Sequence, residues 1–159
     1  MESQEGKGTI FTLYVPVTRE EISREQVAIS AAEYMGKGES ILVVDDVKEQ
    51  RELAGAMLEK LNYTVVSVSS GEEAVEYLKQ KAVDLVVLDM IMDPGMDGLD
   101  TYAKILETHT PQRAIIVSGF SETERVSRAR ALGAGDYVKK PYVLEKLGLA
   151  VRNELDRPA

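Results

Sequence analysis

The chain is 159 residues long, 44% apolar and 29% charged, and 19 basic against 27 acidic side chains leave a net charge of −8. That length holds one ordinary domain and a little more. The composition argues against wholesale disorder, and the negative charge disfavours nonspecific binding to nucleic acid or anionic lipid. With no cysteine and a single histidine, His109, the chain has no disulfide, thiolate metal site, Cys nucleophile or poly-His site. No apolar run reaches the length of a membrane span, and the start lacks a basic-then-apolar leader. The default expectation is a soluble cytoplasmic protein, or a soluble piece of a membrane-anchored parent.

In chain order, Gly6-Lys7-Gly8 opens a strand whose Phe11, Leu13 and Val15 share one face, with Pro16 ending it. Thr18-Arg19-Glu20-Glu21 reads as a capping box before a weak helix carrying Ile22, Val27 and Ala31. Met35-Gly36-Lys37-Gly38 reads as a flexible joint. From residue 39 the texture becomes regular. Ile41-Leu42-Val43-Val44 is an apolar run closed by Asp45-Asp46, and 47–61 follows at helical spacing with Leu53, Met57, Leu58 and Leu61 inward. Val65–Val68 is a second strand, and Ser70 with Glu73 forms a capping box for a helix that buries Ala74, Val75 and Leu78. Leu85-Val86-Val87-Leu88 ends in Asp89, before a helix carrying Leu99, Tyr102, Ala103 and Leu106. Ala114-Ile115-Ile116-Val117 ends in Ser118, before a helix marked by Val126, Ala129 and Leu132 and stopped by Gly133. Tyr137-Val138 precedes Lys139-Lys140-Pro141, and Leu144, Leu147, Val151 and Leu155 line a last helix.

This is a βα unit five times over. Strands apolar on both faces belong in a parallel sheet covered by helices on both sides. Right-handed crossovers then give an α/β, doubly wound, three-layer (βα)₅ sandwich. A closed (βα)₈ barrel needs roughly 200 residues or more and is excluded.

In such sheets the site lies beyond the carboxyl ends of the strands. There the fold gathers Asp45, Asp46, Asp89, Ser118 and Lys140. Three neighbouring carboxylates need a hard cation or a lysine to offset their repulsion. Oxygen ligands without cysteine or a suitable histidine point to Mg²⁺ over zinc, and thence to phosphoryl chemistry. A carboxylate can itself be the nucleophile, with lysine and hydroxyl holding the transferred oxygens. Each residue taken alone has a plainer reading: Asp45 or Asp46 as a helix cap, Asp89 and Ser118 as turn residues, Lys140 as a solvated loop lysine. Those readings would all have to hold at once, at the ends of four strands.

ILVVDD at 41–46, LVVLDM at 85–90, MDG at 96–98, VSG at 117–119 and YVKKP at 137–141 together resemble the receiver domain of two-component response regulators, over residues 39–157. The resemblance implies a flavodoxin-like fold with Asp89 as phosphoacceptor. It implies Mg²⁺ held by Asp46 directly, by Asp45 mainly through water, by Asp89 and by the backbone carbonyl of Ile91. It gives Ser118 and Lys140 the phosphoryl oxygens, Ser118 and Tyr137 the switch, and Lys139 no role. One departure stands out: the family's proline usually comes four residues after the acceptor, and here Pro94 comes five after. Residues two past the acceptor and two past the hydroxyl, Ile91 and Phe120, are bulky and apolar and are expected to shield the aspartyl phosphate from water.

The Gly-Lys-Gly-Thr-Ile-Phe run with its Val-Pro exit resembles the last strand of a histidine-kinase ATP-binding domain. Residues 1–17 are therefore expected to be a remnant of such a domain that cannot bind ATP, and 18–38 a linker. The whole reads as the phosphoacceptor module of a hybrid sensor histidine kinase, not itself an enzyme, with no output domain after it. Its implied partners are a phosphohistidine donor domain and a downstream histidine phosphotransfer protein, while a weak homodimer stays open. Two other readings are a free-standing single-domain regulator acting by protein contact and a haloacid-dehalogenase-like phosphatase. The latter wants Asp-x-Asp after its first strand, where this chain has Asp-Asp.

Overall fold

The computed structural model describes residues 2–4, 8–10, 12, 14, 30–119 and 124–158. In chain order the elements are β1 (Glu2–Gln4), β2 (Gly8–Ile10), a 3₁₀ turn (Ala31–Glu33), β3 (Ser40–Val44), α1 (Lys48–Lys60), β4 (Thr64–Val68), α2 (Gly71–Gln80), β5 (Leu85–Asp89), α3 (Gly98–Leu106), β6 (Ala114–Ser118), α4 (Glu124–Ala131), β7 (Tyr137–Lys139) and α5 (Leu144–Asp156). β3 to β7 form one parallel sheet in the order β4-β3-β5-β6-β7, as the alternating pattern predicts. β3, β5 and β6 are buried almost along their whole length. That is why they read as unbroken apolar runs rather than alternating ones.

The sheet divides two cores. Ile41, Val43, Leu85, Val87, Ile115 and Val117 face α1 and α5, while Leu42, Val44, Val86, Leu88 and Ile116 face α2, α3 and α4. Successive strand residues point to opposite faces, so each strand feeds both.

Several local readings need correction. In α1 the buried positions are Ala54 and Leu58, continued by Leu61, and Leu53 is 48% exposed. In α3 Ile105 is buried and Ala103 is exposed. α4 stops before Leu132, which is exposed, and Gly133 makes the turn at φ +112°. The Ser70 hydroxyl caps α2 at the Glu73 N–H, 3.2 Å away, but Glu73 returns its carboxylate to the backbone N–H and hydroxyl of Ser69 rather than to Ser70.

At the N-terminus, β2 pairs antiparallel with β1, a partner the sequence reading did not supply. Thr12 and Tyr14 lie in no strand, so the strand is shorter than expected. Phe11, Leu13, Val15 and the capping box at Thr18 to Glu21, with Ile22 and Val27, lie outside the described residues. Ala31 sits in the 3₁₀ turn, capped by Ser30 and Glu33.

The flexible joint expected at Met35 to Gly38 is instead a strap docked on the sheet domain. Tyr34 is buried in the α1–α5 core, and Tyr63 donates its hydroxyl to the Tyr34 carbonyl at 3.3 Å. Gly36 and Gly38 donate their N–H groups to the carbonyls of Leu61 and Asn62 at 2.7 and 3.2 Å. A Cβ on Gly36 would lie 2.5 Å from the Tyr63 ring, and one on Gly148 2.7 Å from the Tyr34 ring. Both glycines are therefore required by close approach rather than by looseness. Glu39 pairs with Arg152 of α5 at 2.6 Å, closing the seam.

Candidate functional site

The strand order reverses between β3 and β5, so their carboxyl ends open the crevice where open α/β sheets bind ligands. Asp45 and Asp46 follow β3, Asp89 closes β5, Ser118 closes β6 and Lys140 follows β7. The structure thus gathers all five residues named from the sequence. Asp45, Asp89 and Ser118 are buried, whereas Asp46 is half-buried.

Lys140 is the hub. Its ammonium donates to Asp45 Oδ2 at 2.5 Å and lies 3.0 Å from Asp89 Oδ2, with only 12% of its side chain exposed. Its backbone N–H is held by the Ser118 carbonyl at 2.8 Å, so β6 fixes where the lysine starts. The second oxygen of Asp45 accepts the Val47 N–H at 2.9 Å. The plain helix-cap reading of Asp45 or Asp46 fails, because Val47 is the N-cap of α1 and has no side-chain cap; Asp45 instead gives one oxygen to the Val47 N–H and the other to Lys140.

Burial pushes the Asp89 carboxyl above its ordinary range, the Lys140 ammonium pulls it back, and the neighbouring Asp45 pushes it up again. For Lys140, burial works against the ammonium, but the two carboxylates outweigh it and leave its pKa raised. Both shifts describe one tightly paired charge cluster.

Ligand oxygens of Asp45, Asp46 and Asp89 lie within 4.8 Å of one another. This all-oxygen set, with three carboxylates against one ammonium, suits a hard divalent cation. Ile91 donates its N–H to Asp89 Oδ1 at 3.4 Å, and its side chain is half exposed on the rim. Tyr137 packs on the α2–α4 side of the sheet. Lys139 is exposed, as expected, and Phe120 lies outside the described residues. His109 follows the end of α3, with its Nδ1 2.9 Å from the Thr108 hydroxyl and away from the strand carboxyl ends.

Sequence reasoning missed Arg51. From the first turn of α1 it donates to the carbonyls of Asp45 and Asp46 at 2.6 and 2.9 Å and fixes the backbone of the acidic pair. Its partners are backbone carbonyls, so no spacing in the sequence signalled it.

The family model described as response regulator receiver domain matches residues 41–152. Sporulation initiation phosphotransferase F of Bacillus subtilis is 30% identical over 117 residues, covering 74% of this chain and 94% of that protein. Sensor kinase CckA of Brucella abortus is 29% identical over 165 residues, covering 98% of this chain but 17% of the kinase. The solved N-terminal domain of a response regulator/sensory box/GGDEF 3-domain protein from Carboxydothermus hydrogenoformans superposes with a TM-score of 0.69 at 30% identity, over 74% of this chain and 94% of that one.

Proposed function

Because the chain belongs to the response-regulator receiver family, and so is a phosphoacceptor domain of two-component signalling, we propose that Asp89 accepts a phosphoryl group from a phosphohistidine. The observation that carries this is the placement of Lys140, one ammonium shared by Asp45 and Asp89 at the switch in strand order. Asp45, Asp46 and Asp89, with the Ile91 carbonyl, would hold Mg²⁺, which supplies positive charge for the incoming phosphoryl oxygens. An Asp89 oxygen bonds to phosphorus as the P–N bond to the donor imidazole breaks, the electron pair staying on the nitrogen. Lys140, already 3.0 Å from Asp89 Oδ2, neutralises an oxygen of the transferred group, and the Ser118 hydroxyl accompanies it. Movement of Ser118 toward that group leaves space for Tyr137, which carries the change to the α4 side. The chain is modified once per signal rather than turning substrate over.

Receiver domains work with histidine kinases or phosphotransfer proteins, and we assign this one to a hybrid sensor kinase. The kinase-like run at Gly6 to Pro16 and the match to a sensor kinase across 98% of the chain support that context. In it, 1–17 is the remnant of an ATP-binding domain and 18–38 the connecting segment. The free-standing alternative is favoured by the single-receiver length of the Bacillus relative, 94% of which is matched. The N-terminal residues, matched in the kinase, weigh against it. Among the described residues no helix is long and apolar enough to cross a membrane.

The test is incubation with acetyl phosphate and Mg²⁺ followed by intact-mass measurement. One phosphoryl group is expected on the parent, and none on Asp89→Asn or with the metal chelated. Uptake retained by Asp89→Asn would overturn the assignment.

A further inference from the structure

The segment between β5 and α3 carries the extra residue noted in the sequence, and its attachments are unequal. Towards the site, the Ile91 N–H reaches Asp89 Oδ1 and the Asp93 N–H reaches Asp46 Oδ2, both at 3.4 Å, long for N–H···O bonds. Away from the site, the Met96 N–H donates to Glu72 Oε1 at 2.9 Å, a charge-assisted bond of full strength. The strongest of these three bonds is therefore the one outside the metal cluster.

Glu72 is well placed to act as a fixed post. It lies in the first turn of α2, which Ser70 caps. Beside it, Gly71 leaves no room for a side chain, since a Cβ there would lie 1.9 Å from Thr101 Oγ1 on α3. The backbone under Glu72 is thus pressed against a neighbouring helix. Its carboxylate is held below the usual range by backbone N–H groups, its own and that of Met96. Gly95 turns at φ +115°, with its Cα against the same carboxylate: a Cβ there would lie 2.8 Å from Oε1. The far end of the segment is tied as well, because Arg125 of α4 pairs with Asp97 and, at 3.6 Å, with Asp100.

We propose that Glu72 is a positioning residue for the phosphoacceptor segment: by holding Met96 it sets the height at which Ile91 and Asp93 present their N–H groups to Asp89 and Asp46. This inference rests on the reading of those aspartates as the metal and phosphoryl site. A longer segment has more freedom to lift from the site, and an outside anchor restores the register. Supporting groups of this kind commonly change metal affinity by about 10- to 100-fold when removed. For an exposed anchor the low end of that range applies.

The experiment compares the full chain with Glu72→Ala and Glu72→Gln, which keeps the carbonyl acceptor but not the charge. Calorimetric titration with Mg²⁺ alone is expected to show about tenfold weaker binding for Glu72→Ala and near-parent binding for Glu72→Gln. Without metal, the amide resonances of Ile91 and Asp93 are expected to shift in Glu72→Ala and not in Glu72→Gln. Parent-like resonances in Glu72→Ala would overturn the proposal. So would Glu72→Gln falling as far as Glu72→Ala, which would make Glu72 a distant charge and not an anchor. Failure of the phosphoacceptor reading shows separately, as no phosphoryl uptake by the parent with these metal-free shifts unchanged.

Discussion

Replacing Lys140 with methionine keeps most of the side-chain volume and deletes the charge that two buried carboxylates share. In the parent the ammonium sits 2.5 Å from Asp45 and 3.0 Å from Asp89, whose side chains are 3% and 8% exposed. Breaking a buried charge pair from one side typically costs about 3–5 kcal/mol, because the remaining charge keeps its desolvation penalty. A domain of this kind has about 5–15 kcal/mol in total, so metal-free Lys140→Met should lose roughly a fifth or more of its stability. With a urea slope of about 2 kcal/mol/M, a loss of about 4 kcal/mol moves the unfolding midpoint down by about 2 M. A cation in the acidic cluster opposes this. At a hundred times its dissociation constant a ligand adds about 2.7 kcal/mol, and the variant binds Mg²⁺ more tightly because no ammonium competes for Asp45 and Asp89. Urea unfolding in chelator and in saturating Mg²⁺, for parent and variant, measures both effects. A metal-free loss under about 1 kcal/mol, or an equal Mg²⁺ gain in both proteins, would refute the reasoning.

Two further outcomes test the rest of the structure. Tyr34→Ala empties a buried aromatic site and should cost about 3 kcal/mol by urea midpoint, and a chain begun at Glu39 should lose at least as much; equal stability of that chain and the parent would show that the strap contributes nothing. Burial raises the carboxyl pKa of Glu154, with Arg157 and Arg113 pulling it back. A raised carboxyl favours folding when protonated, so its contribution is lost as pH rises through the folded value. Glu154→Gln should therefore stabilise the protein at pH 7, and the gain should vanish toward about pH 4.

What the sequence revealed follows from what repeats. β3, β5 and β6 are buried on both faces, so every position had to be apolar and the runs stood out. The carboxylates were legible because Asp45 and Asp89 are each the first polar residue after such a run, with Asp46 directly behind Asp45. The inner face of α1 was legible only in part: Leu58 and Leu61 are buried and Met57 packs on the core, but Leu53 is exposed and Ala54 takes its place. Leu53, Met57 and Leu61 are four apart, and at about 100° per residue that spacing drifts about 80° across the set. Ala54, Leu58 and Leu61 stay within one narrow stripe and take the core side, but an alanine carries little apolar signal. Tyr34 gave no sign of burial either, because its partners Leu61, Tyr63 and Gly148 come from two other places in the chain. Arg51 and Glu72 escaped for a different reason. Their partners are backbone carbonyls and N–H groups, which every residue carries and no motif records.

The two-faced core also governs who can hear whom. Tyr137 belongs to the layer under α2, α3 and α4, whereas Tyr34 and α5's Leu147 and Val151 belong to the opposite layer. The sheet between them acts as an insulating wall. A change written beside α4 meets close-packed strands before it meets the segment that enters at residue 30. The shared strand ends, where Lys140 and Ser118 meet, are the doorway between the two rooms. A partner that grips the α4 side therefore faces a different core layer from the one that holds the docked strap.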